Sequence, residues 1–140
     1  MKKFFLGMVL AGFALVSVTV LNAGTVNNQG KAWLDAQTDP PAINVSGRWD
    51  SDFGVLSLDQ ATTSRDVSGS GGGYQLTGVV SGKRLFLLFA SNSGTVDYCA
   101  TLSYENGNSL TGSYSDRQTR LRFGHSLCQE RSKKMYMRRK

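Results

Sequence analysis

From Ile43 onward, apolar side chains recur at every second position, and no helical period competes with that alternation. A chain patterned this way buries one face of each short extended segment, so it must form a sheet and then protect the sheet's edges. Ile43, Val45, Gly47 and Trp49 share one face, with Asn44, Ser46 and Arg48 on the other. Asp52-Phe53-Gly54 turns the chain, Leu56, Leu58 and Gln60 share the next face, and Val67 and Gly69 continue the theme. Gly71-Gly72-Gly73 supplies a turn without side-chain obstruction. Tyr74, Leu76, Gly78 and Val80 then lead through Ser81-Gly82 into Leu85, Leu87 and Phe89, with Arg84, Phe86 and Leu88 on the reverse face. A strand that is apolar on both faces is either covered on both sides or meets a partner with its outer one. Tyr98, Ala100, Leu102 and Tyr104 form the next inward row, Asn106-Gly107 turns, and Leu110, Gly112 and Tyr114 return. Leu121 and Phe123, with Arg120 and Arg122 outward, read as the last strand.

About eight short strands with short connections predict an all-β fold, a small antiparallel up-and-down meander barrel whose closure removes the edges. A two-layer β-sandwich fits the same alternation, because alternation does not say whether the first and last strands pair. Gly47, Gly69, Gly78 and Gly112 at inward positions suit sharp curvature or close backbone approach.

The flanks differ from this body. Lys2 and Lys3 precede an uncharged apolar run from Phe4 to Leu21 and then Asn22-Ala23-Gly24, the layout of a secretory signal over residues 1–23. Its rival is a retained N-terminal membrane anchor, since the run approaches the roughly 20 residues that span a bilayer. Residues 24–42 are polar, end in Asp39-Pro40-Pro41 and read as an extended or mobile leader, with Trp33-Leu34 as its one apolar point, either plugging the body or exposed. The barrel is expected over 43–128, and 129–140 as a basic tail. Residues 24–116 sum to about −4 and residues 117–140 to about +8, so the positive charge lies almost wholly at one end.

Cys99 and Cys128 are the only cysteines. In an oxidising compartment they pair, and in a reducing one they pack as small apolar groups. Both fall on outward sides, and strands two apart place Cα atoms nearly 10 Å from each other at a strand spacing of ~4.8 Å. A bridge needs less than about 7 Å, so it requires Cys128 to lie beyond the last strand and fold back.

Gly47-Arg48-Trp49-Asp50-Ser51-Asp52-Phe53-Gly54 resembles the opening strand of avidin-like barrels, and Tyr74-Gln75-Leu76-Thr77-Gly78 is similar to one of their middle strands. A glycine-x-tryptophan opening is also lipocalin-like. The resemblance implies a barrel with a ligand-holding interior. Avidin-like proteins hold their bicyclic urea with several tryptophans, whereas this mature chain has only Trp33 and Trp49, so biotin is not expected as a ligand.

Chemistry-bearing residues are sparse. His125 is the only histidine, and its neighbours Gly124 and Ser126 do not form a nucleophile turn. Asp50 and Asp52 share an outward face and read as a solvated turn rather than an acid/base pair. With two cysteines and one histidine, no metal site is expected, nor any cofactor, and the protein is expected not to be an enzyme. Trp49, Gln60, Tyr74, Tyr98, Tyr104 and Tyr114 point inward and would line either a small-ligand cavity or a filled core. Arg120, Arg122, Arg131, Lys133, Lys134, Arg138, Arg139 and Lys140 offer a cationic patch for an anionic envelope surface or a protein partner. Nucleic acid fits that charge but not a periplasmic or secreted location. The expectation is therefore an exported binding protein of the cell envelope, with a carrier of a small apolar or aromatic ligand as the alternative.

Overall fold

The computed structural model describes residues 25–115, Cys128 and 133–140. Among these, one helix, α1 (Thr25–Asp35), precedes eight strands: β1 (Gly47–Ser51), β2 (Gly54–Asp59), β3 (Asp66–Gly71), β4 (Tyr74–Ser81), β5 (Arg84–Ala90), β6 (Val96–Asn106), β7 (Ser109–Ser115) and β8 (Lys133–Arg139). Each strand pairs antiparallel with its sequence neighbour, and β1 pairs with β8 through Trp49↔Arg139, Asp50↔Arg138 and Ser51↔Met137. The sheet is therefore a closed barrel rather than a sandwich. The described helix is not long and apolar enough to cross a membrane.

The alternation fixes what fills it. Leu56, Leu85, Leu87, Phe89, Leu102, Leu110 and Met135 have no exposed surface, and Trp49 and Met137 have 1%. A side chain with no accessible surface has no water-sized void beside it, so the middle of the barrel is packed with side chains, as the width of eight strands allows. The inward glycines allow the strands to cross closely. A Cβ on Gly112 would lie 1.9 Å from the Thr101 carbonyl oxygen, and one on Gly69 would lie 2.0 Å from that of Ser57. Neither position has room for a side chain.

Two flanking expectations are corrected. The leader is not extended: Thr25–Asp35 is helical, because Pro40 and Pro41 restrict only their own turn and the helix ends before them. Tertiary contacts hold it. Trp33 packs edge-on to Phe86 with ring centroids 5.5 Å apart, Leu34 is buried, and Arg65 donates to the carbonyls of Leu34 and Gln37 at the helix's C-terminal end. Trp33-Leu34 thus covers the outer wall of β4–β6 rather than plugging the barrel. This cover is why β5 is apolar on both faces.

The basic tail is not a tail. Lys133–Arg139 is the closing strand β8, with Met135 and Met137 inward and Lys134, Tyr136 and Arg138 outward. Alternating apolar residues earn it a place between β7 and β1 despite its charge, because the cations face water. The strand expected from Leu121 and Phe123, with Arg120 and Arg122, lies outside the described residues.

Cys99 and Cys128 form a disulfide with a Cα separation of 5.1 Å. Cys99 is on the outer side of β6, and Cys128 falls between β7 and β8 rather than after the last strand, so the bridge fastens that connection to the barrel wall. It closes a span of 29 residues, for which chain entropy gives about 3.5 kcal/mol. We expect Cys99→Ala/Cys128→Ala to lower unfolding stability by up to about that amount. The urea midpoint should fall while the far-ultraviolet β signature persists.

Candidate functional site

An up-and-down barrel gathers alternate connections at opposite ends, and the two ends here differ in chemistry. At the end carrying the β1–β2 and β3–β4 turns, Phe53 lies among Phe89, Tyr98 and Tyr114 at ring-centroid distances of 4.6, 5.1 and 5.1 Å, with Tyr74 at 6.1 Å. Mostly edge-on and tilted geometries lock these rings together as a lid over the core. Burial, and then a hydrogen bond with Tyr98, holds the Tyr74 phenol above its ordinary 10.0. The folded state therefore holds this proton more tightly, and the associated stability is lost as pH rises above the ordinary tyrosine range.

The opposite end is sealed. Gln60 is buried, accepts from the Val45 N–H at 2.8 Å and donates to the carbonyls of Ile43 and Ser64 at 3.2 and 2.9 Å. Both its N–H groups and its carbonyl oxygen are engaged within the protein, so it serves as a plug rather than a ligand group. Trp49 Nε1 donates to the Val45 carbonyl at 2.9 Å. The Arg139 guanidinium lies 4.3 Å over the Trp49 ring and donates to the carbonyls of Ser46, Asn44 and Gly107.

Of the six residues expected inside, the structure thus brings Tyr74, Tyr98 and Tyr114 together at one end and Trp49 and Gln60 at the other. Tyr104 joins neither group. It pairs with Leu110 across β6 and β7 yet is 36% exposed, because it lies at the end of β6, where regular pairing stops between Tyr104 and Asn106.

The cationic set also divides. Arg120, Arg122 and Arg131 lie outside the described residues. Arg139 is the latch over Trp49, partly buried and engaged with three backbone carbonyls. Lys140 approaches Asp50 at 3.9 Å, while Lys133 is exposed beside Tyr114 at the aromatic end. Lys134 and Arg138 face outward from β8 and form no ion pair among the described residues, although Asp50 is the cross-strand neighbour of Arg138. Between them stands Tyr136, 58% exposed, the most exposed large apolar side chain described. Beside this row, β7 presents Ser113, Thr111 and Ser109.

Reading the sequence as a tail hid Tyr136. The Met-Tyr-Met alternation was its available signal. Phe53 in the turn and Phe89 in the core lie outside the expected set and complete the ring cluster.

Asp50 and Asp52 do not form a carboxylate pair for acid/base work. Asp50 approaches Lys140, and the Asp52 carboxylate accepts from the Tyr136 backbone N–H at 3.0 Å. Among the described residues no three His, Cys, Asp or Glu side chains gather as metal ligands would. His125 lies outside those residues.

No known family model matches this chain, and no curated protein matches it.

Proposed function

We propose that this is a non-enzymatic exported binding module that holds an anionic surface of the cell envelope through the outer wall of β7 and β8. The observation that carries this reading is the outward row Lys134, Tyr136 and Arg138, an exposed aromatic ring between two cations that form no ion pair among the described residues. Tyrosine suits an interface where one end of the side chain is apolar and the other wet, and each cation near an anionic membrane contributes about 1 kcal/mol. Export rests on the Lys2-Lys3 start, the apolar run to Leu21 and a disulfide that requires an oxidising compartment. The packed interior weighs against the second reading, a carrier of a small ligand inside the barrel.

Sedimentation with phosphatidylglycerol vesicles tests the proposal. Affinity should fall steeply between about 0.05 and 0.5 M salt, as the screening length contracts from above 10 Å toward 3 Å. Lys134→Gln/Arg138→Gln should weaken binding at low salt by roughly 30-fold, the equivalent of two surface cations. Affinity insensitive to both salt and this pair of substitutions would refute the electrostatic contact.

A further inference from the structure

A ligand-sized hollow exists on this molecule, and it lies outside the barrel. The helix α1 rests on β5 and β6, where its Gly30 backbone approaches so closely that a Cβ would stand 2.8 Å from Leu88 Cδ1. Toward β3 and β4 the helix stands off, leaving a groove of about 580 Å³. That volume is within the range of small-molecule sites, roughly 300–1,000 Å³. Leu34, Val79, Leu88 and Val96 give it an apolar floor, and Asp35 and Asp66 stand among its lining residues.

Its charge selects among apolar occupants. Among the described residues Lys31 is the one base lining the groove, and its ammonium already bonds Asp35 at 3.2 Å. The Asp66 carboxylate has neither an ion pair nor a hydrogen bond among the described residues, so their charges leave one uncompensated negative charge beside an apolar floor. The core of the barrel, by contrast, is occupied by its own side chains.

We propose that this groove is a binding site for a small cationic amphiphile, with its apolar body against Leu34, Val79 and Leu88 and its positive head beside Asp66. The site is separate from the β7–β8 wall, and neither proposal depends on the other.

Three probes that share one chain and differ in head group test it: octyltrimethylammonium, octanol and octyl sulfate, titrated calorimetrically into the full, oxidised protein below their micellar concentrations. The expected result is saturable one-to-one binding, tightest for the ammonium and weakest for the sulfate. Asp66→Asn should weaken the ammonium by about threefold, as for a partly exposed charge pair, and leave octanol unchanged. Thr77→Trp, which places an indole in the groove from β4, should weaken all binding by more than tenfold. Ser68→Trp, on the cross-strand partner in β3, does the same if Thr77→Trp fails to fold. Tyr136→Ala should leave the groove unaffected. Absence of saturable binding, sulfate bound as tightly as ammonium, or full binding by a folded tryptophan variant would overturn the proposal.

Discussion

Ending the chain at Ser132 is expected to leave no cooperatively folded barrel. The deletion removes β8, which pairs with β7 from Ser109↔Arg138 to Tyr114↔Lys133 and with β1 through three register pairs. Met135 and Met137, 0% and 1% exposed, leave the core with it. Burying two such side chains contributes about 3–6 kcal/mol, against a total stability for a small domain of about 5–15 kcal/mol. The loss also opens two strand edges at once and removes the Arg139 latch, so the surviving strands have lost both closure and part of their core. Circular dichroism of the truncated protein should show no cooperative thermal transition, and a normal transition would mean that residues 133–140 are dispensable to the fold.

Trp49→Ala should have the next largest effect, about 3–5 kcal/mol, the usual cost of emptying a large aromatic site. The indole fills the sealed end of the barrel, donates to the Val45 carbonyl and carries the Arg139 guanidinium on its face. Its removal therefore leaves a cavity, an orphaned carbonyl and a guanidinium without its ring. Arg139→Ala keeps the indole packed and should cost less, since a cation–π contact gives about 0.5–2 kcal/mol. Equilibrium urea unfolding of both variants measures the order. Equal costs would show that the latch, and not the packing of the ring, is the dominant contribution.

The barrel was legible because the signal that builds it is local. Alternation places Leu56, Leu85, Leu87 and Leu102 inward whatever lies around them, and the turn glycines, such as Gly72, Gly82 and Gly107, mark where several of the strands end. The inward glycines at 69 and 112 were readable for the same reason, as positions where a neighbouring backbone approaches. What failed was local signal overridden by tertiary context. Among the described side chains of α1, Trp33 and Leu34 make the apolar contacts, too few to announce a helix, and the helix is held by Phe86, Leu88 and Arg65 from distant parts of the chain. In β8 the dense charge masked a short alternation, and only pairing with β1 and β7 gives those residues a reason to be extended. The candidate site moved with that error. Arg139 lies partly buried over Trp49, whereas Tyr136, which was not among the expected contact residues, stands at the centre of the outer row. Tyr104 shows the limit of alternation itself, since a residue of the inward row is exposed when it stands at the rim, at the end of β6.

The protein is expected to meet its partner on the outer wall of β7 and β8, with the barrel interior filled by packing. Chemical-shift mapping of the isotope-labelled, oxidised protein titrated with phosphatidylglycerol bicelles tests this directly. The predicted result is perturbation concentrated at Thr111, Ser113, Lys134, Tyr136 and Arg138, reversed by salt. Perturbation centred instead on Phe53, Tyr74, Tyr98 and Tyr114, or no perturbation at low salt, would contradict it.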